Sequence, residues 1–538
     1  MATVTPQEAD AFLREIRSKK GVDDPRGSHY DNVEDLNKSL ILLADQLYTK
    51  PTHFLLELIQ NADDNNFTNS TPTLSFTLQK ESRELRVDCN ETGFTKENVK
   101  AICSIGRSTK GVVDRTKGFI GEKGIGFKSS FKVADVVHIA SGPFQFKFDR
   151  RQTLGMIAPI PEPFPQGQRL PSQTQILLYL NSQDEVTIIG DELKTIRSQL
   201  LIFLRKLSAI TVKAPSRNIQ FRISRKSYDV LLKGETAELT TTLKGFYELS
   251  KRKYVIVRFV VYDLPKDDRR PGVQESEIVL AFPIAENTDP IIQGQMVYSF
   301  LPIDDYGFSY LIQADFILVA NREAIELYAE WNFWVRQHII EAFAKAVQRF
   351  VSIKGSSPAS GLRYTWPVFL KDRGGTTVDF WSTLKISILE DLKSERILES
   401  RDNTAGLCFP TELWYIPYRF RLAREPLVEE GNTRKSHLSF HYDTESSGMS
   451  RELSLIGVSE MTADRFFEEL KSVVSRNSTF LQSQSTGWHA AVAKILQSEI
   501  NPIRFANILL ILLRNGKWVT HLAGKIFLDS EVDALTIP

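Results

Sequence analysis

The sequence has 538 residues, more than one hydrophobic core usually serves, so two to four domains are expected. Its 42% hydrophobic and 25% charged residues match an ordinary globular composition and argue against extended disorder. With 67 basic against 66 acidic residues the formal charge is +1, so the chain as a whole carries no nucleic-acid or anionic-membrane signature, and only local patches stay open.

The opening MATVTPQEADAFLREIRSKK has no apolar core of signal-peptide length, and residues 1–32 are expected to form a helical segment rather than a secretion signal. From Val33 to Ala62 apolar residues recur at helical spacing, through LNKSLILLADQLY and HFLLELIQNA, with Pro51 and Thr52 at the start of the second helix. TLSFTL and ELRVDC then read as a hairpin, followed by a helix near Lys96 to Ser104. Strands resume at VVHIA, FQFKFD and QILLYL. The first part is therefore an α+β sandwich of helices on a mostly antiparallel sheet, over residues 33–185.

A helix, DELKTIRSQLLIFLRKL, and the strands YVIVRFVVY, EIVLAFPI, MVYSFLP and FSYLIQADFIL make an α/β middle domain over 186–354, closed by a long helix from Trp331 to about Val351. GSSPASG, Gly355 to Gly361, is its linker. Residues 362–538 form a mixed α/β region with no chemical motif. The apolar run FANILLILL, Phe505 to Leu513, is far short of a membrane span and reads as a buried helix. The last residues, EVDALTIP, do not read as a natural terminus, so a longer chain is expected. Cys89, Cys103 and Cys408 lack metal-ligand spacing and point to a reducing compartment, cytoplasmic or nuclear.

Glu57, Asn61 and Asp64 stand at i, i+4 and i+7, on one face of the HFLLELIQNADD helix. That face is either a solvated stripe or a site where an amide oxygen near two acids suits Mg²⁺. Further on, IGEKGIGFKSSFKVAD sets Gly121, Gly124 and Gly126 within six residues. Such glycines serve a tight turn, or they let backbone N–H groups approach a polyphosphate, with Lys123 and Lys128 adding charge. Neither a Walker A loop nor a dinucleotide fingerprint is present.

Taken in order, ELIQNADD, VDCNETGF, IGEKGIGFKS and SQTQILLYL resemble the Bergerat-fold ATPases, the superfamily of gyrase, the ninety-kilodalton heat-shock chaperones, histidine kinases and MutL. Within it the sequence is most similar to the sacsin and NO VEIN type, over roughly residues 30 to 350. The resemblance implies ATP and Mg²⁺ as cofactors, Glu57 as the base that activates water, and Asn61 as the Mg²⁺ ligand. It also implies a nucleotide contact set of Asp64, Asp88, Asn90, Gly93, Ser108, Lys110, Gly121, Lys123, Gly124, Gly126, Phe127, Lys128 and Thr174. Ser104 to Gly118 would be a lid and Thr174 part of the adenine network. Arg322 of ANRE would reach the γ-phosphate, or else pair with Glu323 or Glu326.

At one point the sequence departs from the chaperone and gyrase relatives, which have D-x-G-x-G where this chain has D-C-N-E-T-G-F. Asp88 is one residue too far from Gly93, and Asn90 or Glu91 could face the base. The expected function is an Mg²⁺-dependent ATP-binding and ATP-hydrolysing conformational switch that remodels protein clients or a chromatin-associated complex. The alternative is an interaction scaffold with little hydrolysis. A histidine kinase ranks low, because the eight histidines are scattered. No G-x-S-x-G or H-E-x-x-H supports another hydrolase, and His53 reads as a cap or packing residue. ATP-dependent dimerisation through residues 1–32 is expected by family analogy alone, no membrane partner is expected, and nucleic acid is left open.

Overall fold

The computed structural model describes residues 4–23, 30–46, 53–68, 70–104, 126–165, 167, 169–319, 324–353, 361–374, 379–401, 406–423, 425–429, 436–442, 448–477, 479–500, 511–512 and 518–520. Two compact units emerge: Met1–Arg349 with Asp372–Leu384, and Phe350–Lys371 with Lys385–Pro538.

The first unit opens with three helices, α1 (Pro6–Lys19), α2 (Tyr30–Gln46) and α3 (His53–Asp64). Thr5 begins α1 in a capping box with Glu8, which satisfies two otherwise unpaired amides. The hairpin follows as β1 (Thr73–Gln79) and β2 (Glu84–Cys89), then α4 (Lys96–Ile102) and a 3-10 turn over Gly126–Lys132. Next come β3 (Ala134–Ser141), β4 (Phe144–Asp149), β5 (Ile160–Pro161) and β6 (Thr174–Leu180). Helices α5 (Gln183–Thr195) and α6 (Leu200–Phe203) lead to β7 (Ala209–Ala214), β8 (Arg217–Asp229), β9 (Gly234–Leu243), β10 (Tyr247–Val261) and β11 (Ser276–Ile284). Short strands β12 (Val297–Ser299), β13 (Leu301–Pro302) and β14 (Leu311–Gln313) precede the long helix α7 (Glu330–Ser352).

All fourteen of these strands join one sheet in the order β13-β12-β14-β11-β10-β9-β8-β7-β1-β2-β6-β3-β4-β5. Its pairs are antiparallel except β1 with β7 and β12 with β14, so the sheet is mixed and the fold mixed α/β. Because β7 returns to pair with β1, the strands before and after residue 185, which itself lies in α5, belong to one sheet and one compact unit. The strands β7, β8 and β9 are not among those the sequence predicts. Where the sequence predicts one helix over Asp191 to Leu207, the chain makes two. The break has a visible cause, since the Arg217 guanidinium donates to the Leu193 and Ile196 carbonyls and so caps the C-terminal turn of α5.

Alternation builds the core. Leu74, Phe76 and Leu78 of β1 with Leu85, Val87 and Cys89 of β2 point to one face, where they are buried with Phe54, Leu55, Leu58 and Ile59 of α3 and Val186, Ile189 and Leu193 of α5. Ser75 and Thr77, Arg86 and Asp88 point the other way. Toward β10 and β11 that second face is also covered, where Phe282 packs against Phe343 of α7.

The second unit has its own core around Phe420, Phe466, Phe467, Leu470 and Trp488. It is built of short helices, the longest being Ala463–Arg476 and Thr486–Glu499, and ribbons of two or three short strands. Of the apolar run read as a buried helix, Ile511–Leu512 is a strand paired with Trp518–Val519, a correction at those positions. Periodicity cannot separate the two states in so short a run, since continuous apolar residues suit either a buried strand or a buried helix.

Candidate functional site

The site is built on the helix-covered face of the sheet, from α3, the loop after β2, the start of β6 and the 3-10 turn. On α3, Leu55, Leu58, Ile59 and Ala62 anchor the helix in the core, while Glu57 is itself buried at 4% exposure. The polar stripe is therefore not solvated at Glu57, although Asn61 is exposed and Asp64 is half-buried. Of the two acids after Ala62, Asp63 is engaged structurally: its carboxylate accepts from the backbone N–H groups of Arg205, Lys206 and Leu207, each at 2.8 Å. Gln60, missed in the sequence, is 1% exposed, and neither atom of its amide meets a hydrogen-bond partner among the described residues. Such a buried amide is expensive unless something else satisfies it.

The end of β2 and the loop after it set apart the three polar residues Asp88, Asn90 and Glu91. Asp88 lies on the opposite face, accepting from Arg86 Nε at 2.9 Å and Gln175 Nε2 at 2.8 Å. Asn90 is engaged by the chain before β1, accepting from Thr73 N at 2.8 Å and donating to Ser70 Oγ and the Thr71 carbonyl. Glu91 turns inward. It is 6% exposed, and its Oε1 meets no hydrogen-bond partner among the described residues. Burial pushes the Glu91 carboxyl up to about 7, with the Thr174 hydroxyl acting in the opposite sense.

Thr174 sits opposite Cys89 in the β2–β6 register, which sends it to the helix-covered face, whereas its neighbour Gln175 opposes Asp88. Its hydroxyl lies 2.5 Å from Ser141 Oγ, which also accepts from Phe94 N at 2.8 Å. Gly93 has a φ of +98°, a backbone conformation that favours glycine, although a Cβ there would make only ordinary contact with Gly142 N at 3.5 Å. Thus Glu91, Gly93 and Thr174 come together, and Asp88 and Asn90 stand apart from them.

The 3-10 turn begins at Gly126. Phe127 and Phe131 pack into the core edge to face, with ring centroids 6.1 Å apart. Lys128 is not on the surface: its ammonium donates to the carbonyls of Ile102 and Met156, the latter at 2.6 Å, and lies over the Phe148 ring. Burial holds the Lys128 ammonium down to about 7. Ser108, Lys110, Gly121, Lys123, Gly124 and Arg322 lie outside the described residues. The chain flanking Arg322 is held by the buried Asn332, which bonds Ile317 N, Ile317 O and Glu326 O, each at 2.8 Å.

These residues suit a nucleotide better than a bare metal ion. Both the open carboxyl oxygen of Glu91 and the unsatisfied amide of Gln60 are buried. Among the described residues no group of three His, Cys, Asp or Glu side chains could hold a metal ion. An ion at Asn61 would therefore take most of its oxygen ligands from phosphate and water, as Mg²⁺ commonly does. Cys89, Cys103 and Cys408 are free and buried. Among the described residues no helix is long and apolar enough to cross a membrane.

No family model matches the chain. It is 28% identical over 546 aligned residues to Protein NO VEIN of Arabidopsis thaliana, a match covering 93% of this chain and 19% of that protein. It is 32% identical over 131 residues to Chaperone protein HtpG of Nitrobacter winogradskyi, covering 20% of this chain and 21% of the relative. HtpG of Chlorobium phaeobacteroides is 30% identical over 141 residues, covering 22% of each. The matched chain thus spans about a fifth of the length of these curated relatives. The similarity runs to NO VEIN over most of the chain and to a chaperone over a smaller part, consistent with the Bergerat ATPase superfamily.

Proposed function

We propose that α2, α3 and β1 to β7 form a Bergerat-type ATP-binding domain, and that the chain is an Mg²⁺-dependent, chaperone-like ATPase. The observation that carries this reading is Glu91, buried beside Thr174 with one oxygen open, on the same side of the sheet as Glu57 and Asn61. Glu91 and Thr174 read the adenine, in place of Asp88 or Asn90. Glu57 orients and deprotonates the attacking water, and Asn61 supplies one Mg²⁺ ligand, with Asp64 nearby. The ion, when bound, neutralises charge on the phosphates. Backbone N–H groups at Gly121, Gly124 and Gly126 hold those phosphates with Lys123 adding charge beside them, Ser108 and Lys110 approach from the lid, and Arg322 meets the γ-phosphate. The cycle remodels a protein client or a chromatin-associated complex, with residues 1–32 contributing to an ATP-dependent homodimer.

The test is calorimetry with ATP and Mg²⁺ beside phosphate release, on the full chain and on Glu57→Ala. Both proteins are expected to bind ATP, and the variant to lose about a hundredfold or more in turnover. Absence of ATP binding would sink the reading. One observation favours the scaffold alternative: the Lys128 ammonium is already held by two carbonyls. Binding with no phosphate release above the Glu57→Ala level would support that alternative.

A further inference from the structure

The buried acids around α3 and β2 differ in the company they keep. Asp88 accepts from Arg86 Nε at 2.9 Å and from Gln175 Nε2 at 2.8 Å. Asp63 accepts from three backbone N–H groups, each at 2.8 Å. Glu91 has neither kind of support. It is 6% exposed, and its Oε1 meets no hydrogen-bond partner among the described residues.

The elements packed around Glu91 bring it no cation. From β2 comes the Cys89 thiol, which burial, Glu91 and Asp63 together push up to about 12, so it stays neutral. Helix α3 adds the buried carboxylates of Glu57 and Asp63, of the same sign as an ionised Glu91. From β6 comes the Thr174 hydroxyl, itself 2.5 Å from Ser141 Oγ of β3. On the 3-10 turn the Lys128 ammonium is held by the Ile102 and Met156 carbonyls. An ionised Glu91 is thus left with the Thr174 hydroxyl, short of the two or three or so N–H donors that keep a buried carboxylate charged.

A ligand sharpens this deficit. A planar base laid against Glu91 excludes the remaining water, and a charge so enclosed is costly unless it is fully paired. An ionised carboxylate only accepts, whereas a neutral carboxylic acid has one O–H donor beside an acceptor oxygen. Adenine sets the N6 amino donor beside the N1 acceptor, so the neutral acid matches both atoms. The ionised form matches N6 and turns a lone pair toward N1.

We infer that Glu91 holds the adenine as a neutral acid, donating its O–H to N1 and accepting from the N6 amino group, so that ATP binding takes up a proton from solvent. The inference rests on the ATP reading above and adds a proton to the binding equilibrium. The sign follows from the ligand-free carboxyl, at about 7. Below that pH the acid is already protonated and affinity is highest; above it the proton must be taken up and affinity falls.

The test is calorimetry of the full chain with ATP and Mg²⁺ at pH 6, 7 and 8, each in two buffers of different ionisation enthalpy, which reads proton uptake directly. Uptake of about half a proton at pH 7 and close to about one at pH 8 is expected, with affinity about tenfold lower at pH 8 than at pH 6. Glu91→Gln carries a donor and an acceptor in the same shape and does not titrate. It is expected to bind within about threefold of the parent's pH 6 affinity, to keep that affinity at pH 8, and to take up no proton there. Glu91→Ala is expected to lose about tenfold or more at pH 6. Thermal melts check that each variant is folded. If neither folds, the parent's uptake at pH 8 decides, since Mg²⁺-bound ATP itself exchanges little proton there. ATP binding with no more uptake than Glu91→Gln shows, or with none at pH 8, overturns the inference and leaves the ATP reading standing. So does a folded Glu91→Gln that binds about tenfold or more weaker than the parent at pH 6. A folded parent that binds no ATP at any of the three pH values overturns both.

Discussion

The two faces of β1, β2 and β7 are made by the same strands and do opposite work. On the helix-covered face Phe76 is fully buried between its register partners Val87 and Val212. On the other face Thr77, the next residue, lies between Arg86 and Lys213. The first face stores stability and supports the Glu91, Gly93 and Thr174 cluster, whereas at Thr77 and Lys213 the second carries polar groups open to water that contribute little to folding. Strand alternation lets one short stretch serve both purposes, because successive side chains never compete for the same space.

The sharpest way to break the comparison is paired truncation. Phe76→Ala is expected to cost about 3–5 kcal/mol, through lost burial and the cavity left behind. Thr77→Ala is expected to stay within about 0.5 kcal/mol. Urea denaturation of both measures the difference, and similar costs would mean that the second face is packed after all.

A smaller effect tests the polar part of the first face. Asp63→Ala removes the acceptor of three backbone N–H groups at Arg205 to Leu207, and a loss of about 3 kcal/mol is expected. Asp63→Asn should recover part of it, since the amide oxygen still accepts. If both variants melt like the parent, water replaces the carboxylate there.

The third test is the pH dependence that Glu91 imposes. Its folded value, about 7, lies above the ordinary 4.5, so between those values the folded state holds a proton that the unfolded state has released. Stability therefore falls as pH rises from about 4.5 to about 7 and levels off above, by an amount on the order of 3 kcal/mol. Glu91→Gln should remove that slope in melts at pH 5, 6 and 8. The exposed Lys213→Ala should leave it intact. A slope that survives Glu91→Gln assigns the titration to another group.

Much of this could be read from the sequence. The β1–β2 hairpin and the α3 helix lie where their periodicities put them, and the order of the polar motifs along the chain required no structure. The strands β7 to β9 were not legible. RNIQFRISRKSYD in β8 mixes cations and polar residues with few fully buried positions, so its strand state depends on pairing with β7 and β9 rather than on its own pattern. The helical period over Asp191 to Leu207 hides a break, because Arg217, distant in sequence, supplies the C-terminal cap of α5.

What the sequence determined by itself was the set of elements with a strong apolar period and the succession Glu57, Asn61, Gly93, Thr174. What only the tertiary structure decided was which acid turns inward and which lysine is free. Asp88, Asn90 and Glu91 are nearly equivalent as letters, yet the β2–β6 register and the bonds that tie Asn90 to Thr73, Ser70 and Thr71 leave Glu91 alone of the three on the helix-covered side. Lys128, read from the sequence as a charge for phosphates, is buried against two carbonyls, whereas Lys244 at the β9–β10 turn is exposed. The reason is physical: a polar side chain's role depends on whether neighbours distant in sequence satisfy it, and that is set only when the strands have paired.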